Sequence, residues 1–214
     1  MIYYLPGCDV RKNHLEAVEK MSEYMIKKDI HILECCRTEL DNIKEGDTVI
    51  HNCTLCGLIL KERLKDVEII SLYEYCLKDK EFKWPQYSSL YLTIQDCIRM
   101  IDNNHLQKAI RECCYRMNIQ VVEMDENFEK TRYCGVWLNN PADPLCKELA
   151  PQAFSHLEKY RYIQSQEQQI LDMQKWNHQY QTEYVLVYCN GCERGIKLGG
   201  GNPVHIIDLI VGVL

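Results

Sequence analysis

The sequence predicts an α/β fold made of two duplicated modules, each a small parallel sheet flanked by helices, with cysteines at the carboxyl ends of the strands. Three observations lead to this prediction. Short apolar runs alternate with segments of helical periodicity along the 214 residues, a pattern typical of parallel sheets. Nine of the thirteen cysteines form two sets that run in the same order. A Val-x-Ile-Ile-x-Leu segment follows each set, at 67–72 and 204–209, and indicates an internal duplication.

Residues 1–84 carry the pattern of the first module. Strands are expected at 2–5, 29–33, 48–50 and 67–70, and helices at 13–27, 55–64 and 72–77. The first helix is indicated by apolar residues at helical spacing, and Asn13 is its expected N-cap. Those apolar residues are Leu15, Val18, Met21 and Met25.

Residues 85–214 carry the pattern of the second module, reached through a link at 78–89. Strands are expected at 90–94, 119–123, 184–188 and 204–207, and helices at 104–117 and from 208 to the end. An insertion at about 139–182 separates the halves of this module. Within it, 145–178 is expected to form one long helix or two. This helical arm is expected to pack on the second half, and a partner-docking surface is the alternative.

The two cysteine sets are the candidate functional residues. Since the first members follow predicted strands, the sets should converge at the carboxyl edges of the two sheets. Thiolates gathered from distant parts of a chain are what a soft metal or an iron–sulfur cluster requires. The first set, with an adjacent pair, favours a larger or more open cluster than a cubane. The second suits a four-thiolate cluster or zinc. The sets are Cys8, Cys35, Cys36, Cys53, Cys56 and Cys97, Cys134, Cys189, Cys192.

Composition excludes several classes of partner. The net charge is −6, which disfavours nucleic acid and anionic membrane surfaces. The longest apolar run, at 206–214, is too short to span a bilayer, and the start at Met1–Leu5 has no secretory pattern. We therefore expect a cytoplasmic, reducing location, where clustered cysteines are metal-binding or catalytic more often than disulfide-bonded.

Several stretches resemble the cysteine-rich Cys-Cys-Gly domain family, whose members include the cysteine-rich component of heterodisulfide reductase. The family pattern is a duplicated module of Cys, then Cys-Cys-Gly, then Cys-x-x-Cys. Tyr4-Leu-Pro-Gly-Cys8 resembles the opening of one module, and Leu92-Thr-Ile-Gln-Asp-Cys97 that of the next. Tyr133-Cys-Gly135 stands where the second module carries Cys-Cys-Gly, and both Cys-x-x-Cys pairs match the module ends.

This resemblance implies a reaction class and a partner. It assigns the first set to a non-cubane or 4Fe-4S cluster, with Cys35 and Cys36 at the reacting centre, and the second set to a further iron–sulfur cluster or zinc. The implied function is electron transfer to, or reduction of, a small disulfide or thiol, with a ferredoxin-like or flavin-containing redox partner as donor. Arg37 replaces the glycine of the first module and Tyr133 a cysteine of the second, so the second module is degenerate.

Two other classes of function are also consistent with the sequence. A zinc-stabilised partner-binding module without catalysis would explain the incomplete second set. A metal-free thiol oxidoreductase would use the Cys-x-x-Cys pairs alone. The remaining thiols are interpreted as ordinary buried cysteines. They are Cys76, Cys113, Cys114 and Cys146.

Overall fold

A computed structural model describes residues 1–213. Two four-stranded sheets, parallel throughout, form its centre, each with helices packed around it. Strand order is β2-β1-β3-β4 in the first sheet and β6-β5-β7-β8 in the second, so both modules have the same topology. The predicted α/β class with two duplicated modules is confirmed. The strands are β1 (Ile2–Leu5), β2 (His31–Ile32), β3 (Thr48–His51), β4 (Glu68–Ser71), β5 (Tyr91–Ile94), β6 (Gln120–Val122), β7 (Tyr184–Val187) and β8 (Asn202–His205).

Helices follow the strands in both modules. In the first module they are α1 (Cys8–Asn13), α2 (Leu15–Lys27), α3 (Thr54–Arg63) and α4 (Leu72–Lys78). The second module has α5 (Asn104–Arg116), α10 (Asn190–Leu198) and α11 (Ile206–Ile210) at the positions of α2, α3 and α4. Its insertion contains α6 (Val136–Asn139), α7 (Pro144–Leu149), α8 (Pro151–Glu158) and α9 (Gln166–Asn177). None of the described helices is long and apolar enough to cross a bilayer.

The start of α2 corrects one prediction. Asn13 is not the N-cap of this helix, because it closes α1, where its side-chain amide donates to the backbone oxygen of Asp9 at 2.7 Å. His14 takes the N-cap position of α2. The apolar face was predicted correctly for Val18, Met21 and Met25, which are buried, but not for Leu15, which is 54% exposed. Periodicity thus predicted α2, but its first residue lies later than expected because the short helix α1 precedes it.

The two module ends differ although their sequences are alike. Ile69 and Ile70 lie in β4, and Ser71 then caps α4 in a capping box with Glu74. At the equivalent positions of the second module, Ile206 and Ile207 already belong to a helix. The strand expected at 204–207 therefore ends at 205, and the helix expected from 208 begins at 206. The second strand is also shorter than expected, at two residues of the predicted 29–33.

The insertion forms three helices after α6, where the sequence predicted one or two over 145–178. Pro144 and Pro151 each stand at the first position of a helix, where a missing backbone N–H costs nothing. A residue before proline is disfavoured in helical conformation, and Ala150 accordingly has φ −141°, which separates α7 from α8. Ser165 caps α9 by accepting a hydrogen bond from the Gln168 backbone N–H.

The insertion packs on both modules, which corrects the expectation that it lies on the second half. Apolar residues of α7 and α8 share a buried cluster with the first sheet, as Phe154 does with Leu5 and Ile59. The carboxylate of Glu62 accepts hydrogen bonds from the first backbone N–H groups of α8. In contrast, α9 contacts α10 of the second module. The insertion therefore connects the modules at the edge where the cysteines gather.

Candidate metal and thiol site

Strand topology brings the cysteines together. Cys8 and Cys53 follow β1 and β3, and Cys97 and Cys189 follow the equivalent β5 and β7. Since parallel strands end at the same edge of a sheet, each pair starts its set at one place. Cys53 and Cys189 are the N-caps of α3 and α10, so the second cysteine of each Cys-x-x-Cys lies in the first turn of a helix.

The second set forms a compact group of sulfurs. Cys97 and Cys134 lie 3.4 Å apart, and Cys134 and Cys189 3.7 Å apart. With Cys192, the four Sγ atoms all lie within 4.8 Å of one another, and all four side chains are buried. Across residues 1–213 this is the one such group of three or more cysteine, histidine or acidic side chains. These four cysteines could hold a metal ion.

Electrostatics in the second set favour a negative charge. Hydrogen bonds from the Cys134, Cys192 and Cys97 thiols lower the pKa of Cys189 well below its ordinary value, against the effect of burial. Burial in turn raises the pKa of Cys97 and Cys192. One thiolate is thus stabilised by three neighbouring thiols. Metal binding requires deprotonated sulfur, so the Cys189 thiolate offers a first ligand, and Cys97 and Cys192 would release their protons as a metal binds.

A close backbone contact positions Cys134. Gly135 has φ +48°, a conformation that side chains rarely adopt, and a Cβ there would lie 2.4 Å from the backbone oxygen of Gly191. Gly195, one helical turn further along α10, has equally little space. Three glycines therefore let the Cys134 loop lie directly on the helix that carries Cys192.

The first set surrounds an open cavity. Four of its five thiols line a cavity of about 270 Å³ between the modules. They are Cys8, Cys36, Cys53 and Cys56. Gly7, at φ +85°, allows the close approach, because a Cβ there would lie 2.6 Å from Cys53 Cβ and 3.5 Å from Cys56 Sγ. Cys35 does not line the cavity, and its sulfur accepts the backbone N–H of Arg37 at 3.4 Å.

The thiols of the first set interact with one another. A hydrogen bond with the Cys56 thiol lowers the pKa of Cys36 despite burial. The same interaction raises the pKa of Cys56. Burial, together with the negative charge of Cys53, raises the pKa of Cys8. Cys36 is therefore a more readily ionised thiol of this cavity, which is the property of a nucleophile or ligand.

Residues from all parts of the chain complete the cavity. Cys189 of the second set lies in its wall, so the two cysteine sets adjoin there. The insertion contributes Cys146, a buried thiol whose sulfur accepts a hydrogen bond from Arg37 Nη2 at 3.2 Å. Cys146 was interpreted from the sequence as an ordinary core cysteine, and its position in the cavity wall was not predicted. No spacing signal could have shown it, because Cys146 lies outside the repeated pattern.

Other cysteines fit the sequence interpretation. Cys76, Cys113 and Cys114 are buried in the core shared by the two modules. Tyr133, directly before Cys134, is buried against Trp176, with ring centroids 4.9 Å apart. Tyr133 thus contributes an aromatic wall to this module, with its hydroxyl on the sulfur of Met173.

His51 is buried beneath the first set. Burial lowers the pKa of His51 to about 4, so the ring is neutral at ordinary pH. Its Nδ1 lies 3.2 Å from the backbone oxygen of Cys53, and Gly57 of α3 packs directly on the ring. His51 therefore supports the loop that carries Cys53.

Comparisons with known proteins add little. No protein-family model matches the chain, and no curated protein does. A solved structure, that of Picrophilus torridus aspartate racemase, aligns with 98% of this chain and 90% of its own, at 12% sequence identity. The TM-score is 0.32. An overlap this loose carries no argument about function, which has to come from the site itself.

Proposed function

We propose that this protein is an iron–sulfur redox protein of the cysteine-rich Cys-Cys-Gly type, acting on a disulfide or thiol in the cavity between its modules. The main observation in support of this proposal is that thiols of both sets line one cavity. Cys36 and Cys53 line it from the first module and Cys189 from the second. A cavity bounded by several thiols and closed by an insertion is a suitable place for a cluster and its substrate.

The first set fits a cluster better than a single ion. Its thiols surround open space, and within residues 1–213 no three of them lie within the distance that joins the second set. An inorganic core would occupy that space, held by Cys8, Cys36, Cys53 and Cys56. Cys35 does not line that space, and its side chain would have to turn towards the core to bridge it. When bound, such a cluster supplies one-electron transfer.

The reaction needs an external electron source. Reduction of a disulfide consumes two electrons and two protons and releases two thiols. The chain carries no nucleotide fingerprint, so we assign the electrons to a ferredoxin-like or flavin-containing redox partner. The lowered pKa of Cys36 favours the thiolate that ligation of a cluster requires, and the substrate sulfur would lie in the cavity beside the cluster that Cys36 helps to hold.

The second set supports a single ion. A tetrahedral metal with four thiolates at about 2.3 Å places the sulfurs about 3.8 Å apart. The observed separations of 3.4 and 3.7 Å agree with this value. A cubane would hold the cysteine sulfurs farther apart, because its iron and sulfide atoms lie between them. We infer that Cys97, Cys134, Cys189 and Cys192 bind one zinc or iron ion that stabilises the module.

Comparing Cys36→Ser with Cys113→Ser in protein purified without oxygen tests the redox proposal. Cys36→Ser should alter the EPR signal of the reduced protein and lower its iron and acid-labile sulfide content. Cys113→Ser, a buried core thiol matched in chemistry, should leave both unchanged. Equal effects of the two changes, or a wild-type protein without acid-labile sulfide, would rule out the cluster.

A zinc-stabilised binding module is the second candidate, and the compact second set favours it. In that case the first set would be unligated and the insertion would engage a partner. Metal analysis separates the candidates. Colourless protein with one zinc per chain supports the binding module, and brown protein with iron and sulfide supports the redox proposal.

A further inference from the structure

Arg99 is a buried cation in the wall of the intermodule cavity. It lies in the short 3-10 turn directly after Cys97, and only 8% of the residue is exposed. Its guanidinium stacks over the ring of Trp137 at 4.3 Å, which fixes its orientation. Both side chains line the cavity that holds the first cysteine set.

Within residues 1–213, no carboxylate or carbonyl oxygen accepts a hydrogen bond from Arg99. Its Nε is buried without a partner. The other two arginines of the cavity wall are different, because Arg37 pairs with Asp143 and Arg194 with Asp9. A guanidinium taken out of water without an acceptor is costly, so a buried unpaired arginine in a cavity wall points to an anion that binds there.

The surroundings of Arg99 also favour an anion. Helices α3 and α10 both begin at the cavity, and in the described part of the chain neither has a side-chain cap on its first backbone N–H groups. Helix N-termini carry positive potential. Asn190, in the first turn of α10, is buried in the same wall, and neither polar atom of its amide has a partner among the described residues.

The thiolates of the second set supply only part of the balance. Cys189, the ionised thiol of that set, lies in the same cavity wall as Arg99. Sulfur is a weak acceptor, and these thiolates are the candidate ligands of a metal. An oxyanion would give the guanidinium a planar pair of acceptors, which is the geometry that arginine matches best.

We propose that the cavity binds a small carboxylate-bearing disulfide or thiol, whose carboxylate pairs with Arg99 while its sulfur faces the first cysteine set. The volume of about 270 Å³ would be shared with the proposed cluster, so the space that is left admits only a molecule of a few carbon atoms. The carboxylate half of this inference stands on Arg99 and its surroundings, and the sulfur half rests on the proposed function.

Two disulfides of similar size test the proposal. Binding of 3,3′-dithiodipropionate and of the uncharged bis(2-hydroxyethyl) disulfide to the metal-containing protein is measured by calorimetry, for wild type and for Arg99→Gln. We expect wild type to bind the dicarboxylate at least about tenfold more tightly, as a charge-assisted pair provides. Arg99→Gln should remove this preference and leave the affinity for the uncharged disulfide within about twofold.

Arg194→Gln is the matched control, because Arg194 also lines the cavity but is half exposed and already paired with Asp9. It should retain most of the preference. Equal wild-type affinities, or an Arg99→Gln variant that keeps the preference, would overturn the proposal. Loss of metal in that variant would then make Arg99 a counter-charge of the thiolates. If the dicarboxylate binds through Arg99 but is reduced no faster than in protein-free solution when dithionite supplies the electrons, the proposed function is wrong and the carboxylate half of this inference stands.

Discussion

The guanidinium of Arg37 donates hydrogen bonds to Asp143 Oδ2 at 2.9 Å and to the Cys146 thiol at 3.2 Å. Arg37 directly follows the adjacent pair Cys35-Cys36, and its two partners belong to the insertion of the other module. Arg37 and the insertion therefore form one physical feature. The arginine beside the paired cysteines holds the insertion over the cavity.

We expect Arg37→Met to loosen the insertion without unfolding the protein. The pair is partly exposed, so the loss of stability should be about 1 kcal/mol. Hydrogen exchange of 144–149 should become faster, because α7 loses its contact with the first module. Arg11→Met, which removes an ion pair with Glu34 elsewhere in that module, should leave exchange in α7 unchanged. Unchanged exchange in Arg37→Met would contradict this role.

The four-cysteine group should stabilise the second module through its metal. Cys134→Ser removes a ligand, and we expect metal loss with a fall in Tm of about 10 °C, equivalent to several kcal/mol in a chain of this size. A chelator should lower the Tm of wild type by a similar amount and that of Cys134→Ser much less. Differential scanning calorimetry with metal analysis measures both. A variant that loses no metal would contradict the assignment.

Alanine substitutions at Gly135 and Gly200 distinguish a steric requirement for glycine from a requirement of backbone conformation alone. Both have positive φ, but a Cβ at Gly200 meets nothing within 4 Å, whereas one at Gly135 meets backbone atoms. Gly200→Ala should cost about 1–2 kcal/mol from the backbone conformation alone. Gly135→Ala should cost more than about 3 kcal/mol, because the loop and α10 must separate. Urea unfolding measures both, and equal losses would contradict the close contact.

His14 should make stability depend on pH. It lies between the modules, 3.0 Å from Glu193 and 2.8 Å from Asp208. Although burial lowers it, hydrogen bonds to Asp208 and Glu193 raise the pKa of His14 to about 9, from 6.5. The stabilisation is therefore complete below pH 6.5 and lost as the pH rises through about 9.

Substitution of His14 by Gln should accordingly lower the free energy of unfolding most at pH 6 and least at pH 10. Denaturant unfolding of wild type and variant at both pH values measures the difference. The comparison with wild type at each pH removes the contribution of cysteines that titrate in the same range. A difference that is the same at pH 6 and pH 10 would contradict the raised pKa.

The architecture could be read from the sequence because it depends on local patterns. Alternating strands and helices predict parallel sheets, and the repeated cysteine order predicts the duplication. The same logic placed Cys53 and Cys189 at strand ends, since topology alone brings these positions together. Cap positions were harder, because Asn13 and His14 compete for adjacent roles that only the packed helices decide.

Features that depend on contacts between distant parts of the chain could not be predicted from the sequence. Cys146 and Arg99 belong to no repeated spacing, and each gains its place in the cavity from packing between modules. The proline positions in the insertion were visible, and Pro151 could have predicted the break between α7 and α8. The side on which the insertion packs depends on Arg37 and Glu62, whose partners lie about a hundred residues away.

The most direct test of the account is X-ray absorption at the zinc and iron edges of protein purified without oxygen, in a variant with all five cysteines of the first set replaced by serine. The absorption signal then comes from metal bound by the second set alone. We predict one metal ion per chain with four sulfur ligands at about 2.3 Å. Protein without bound metal, or an ion with mainly oxygen and nitrogen ligands, would contradict the claim that the four buried thiols form a metal site.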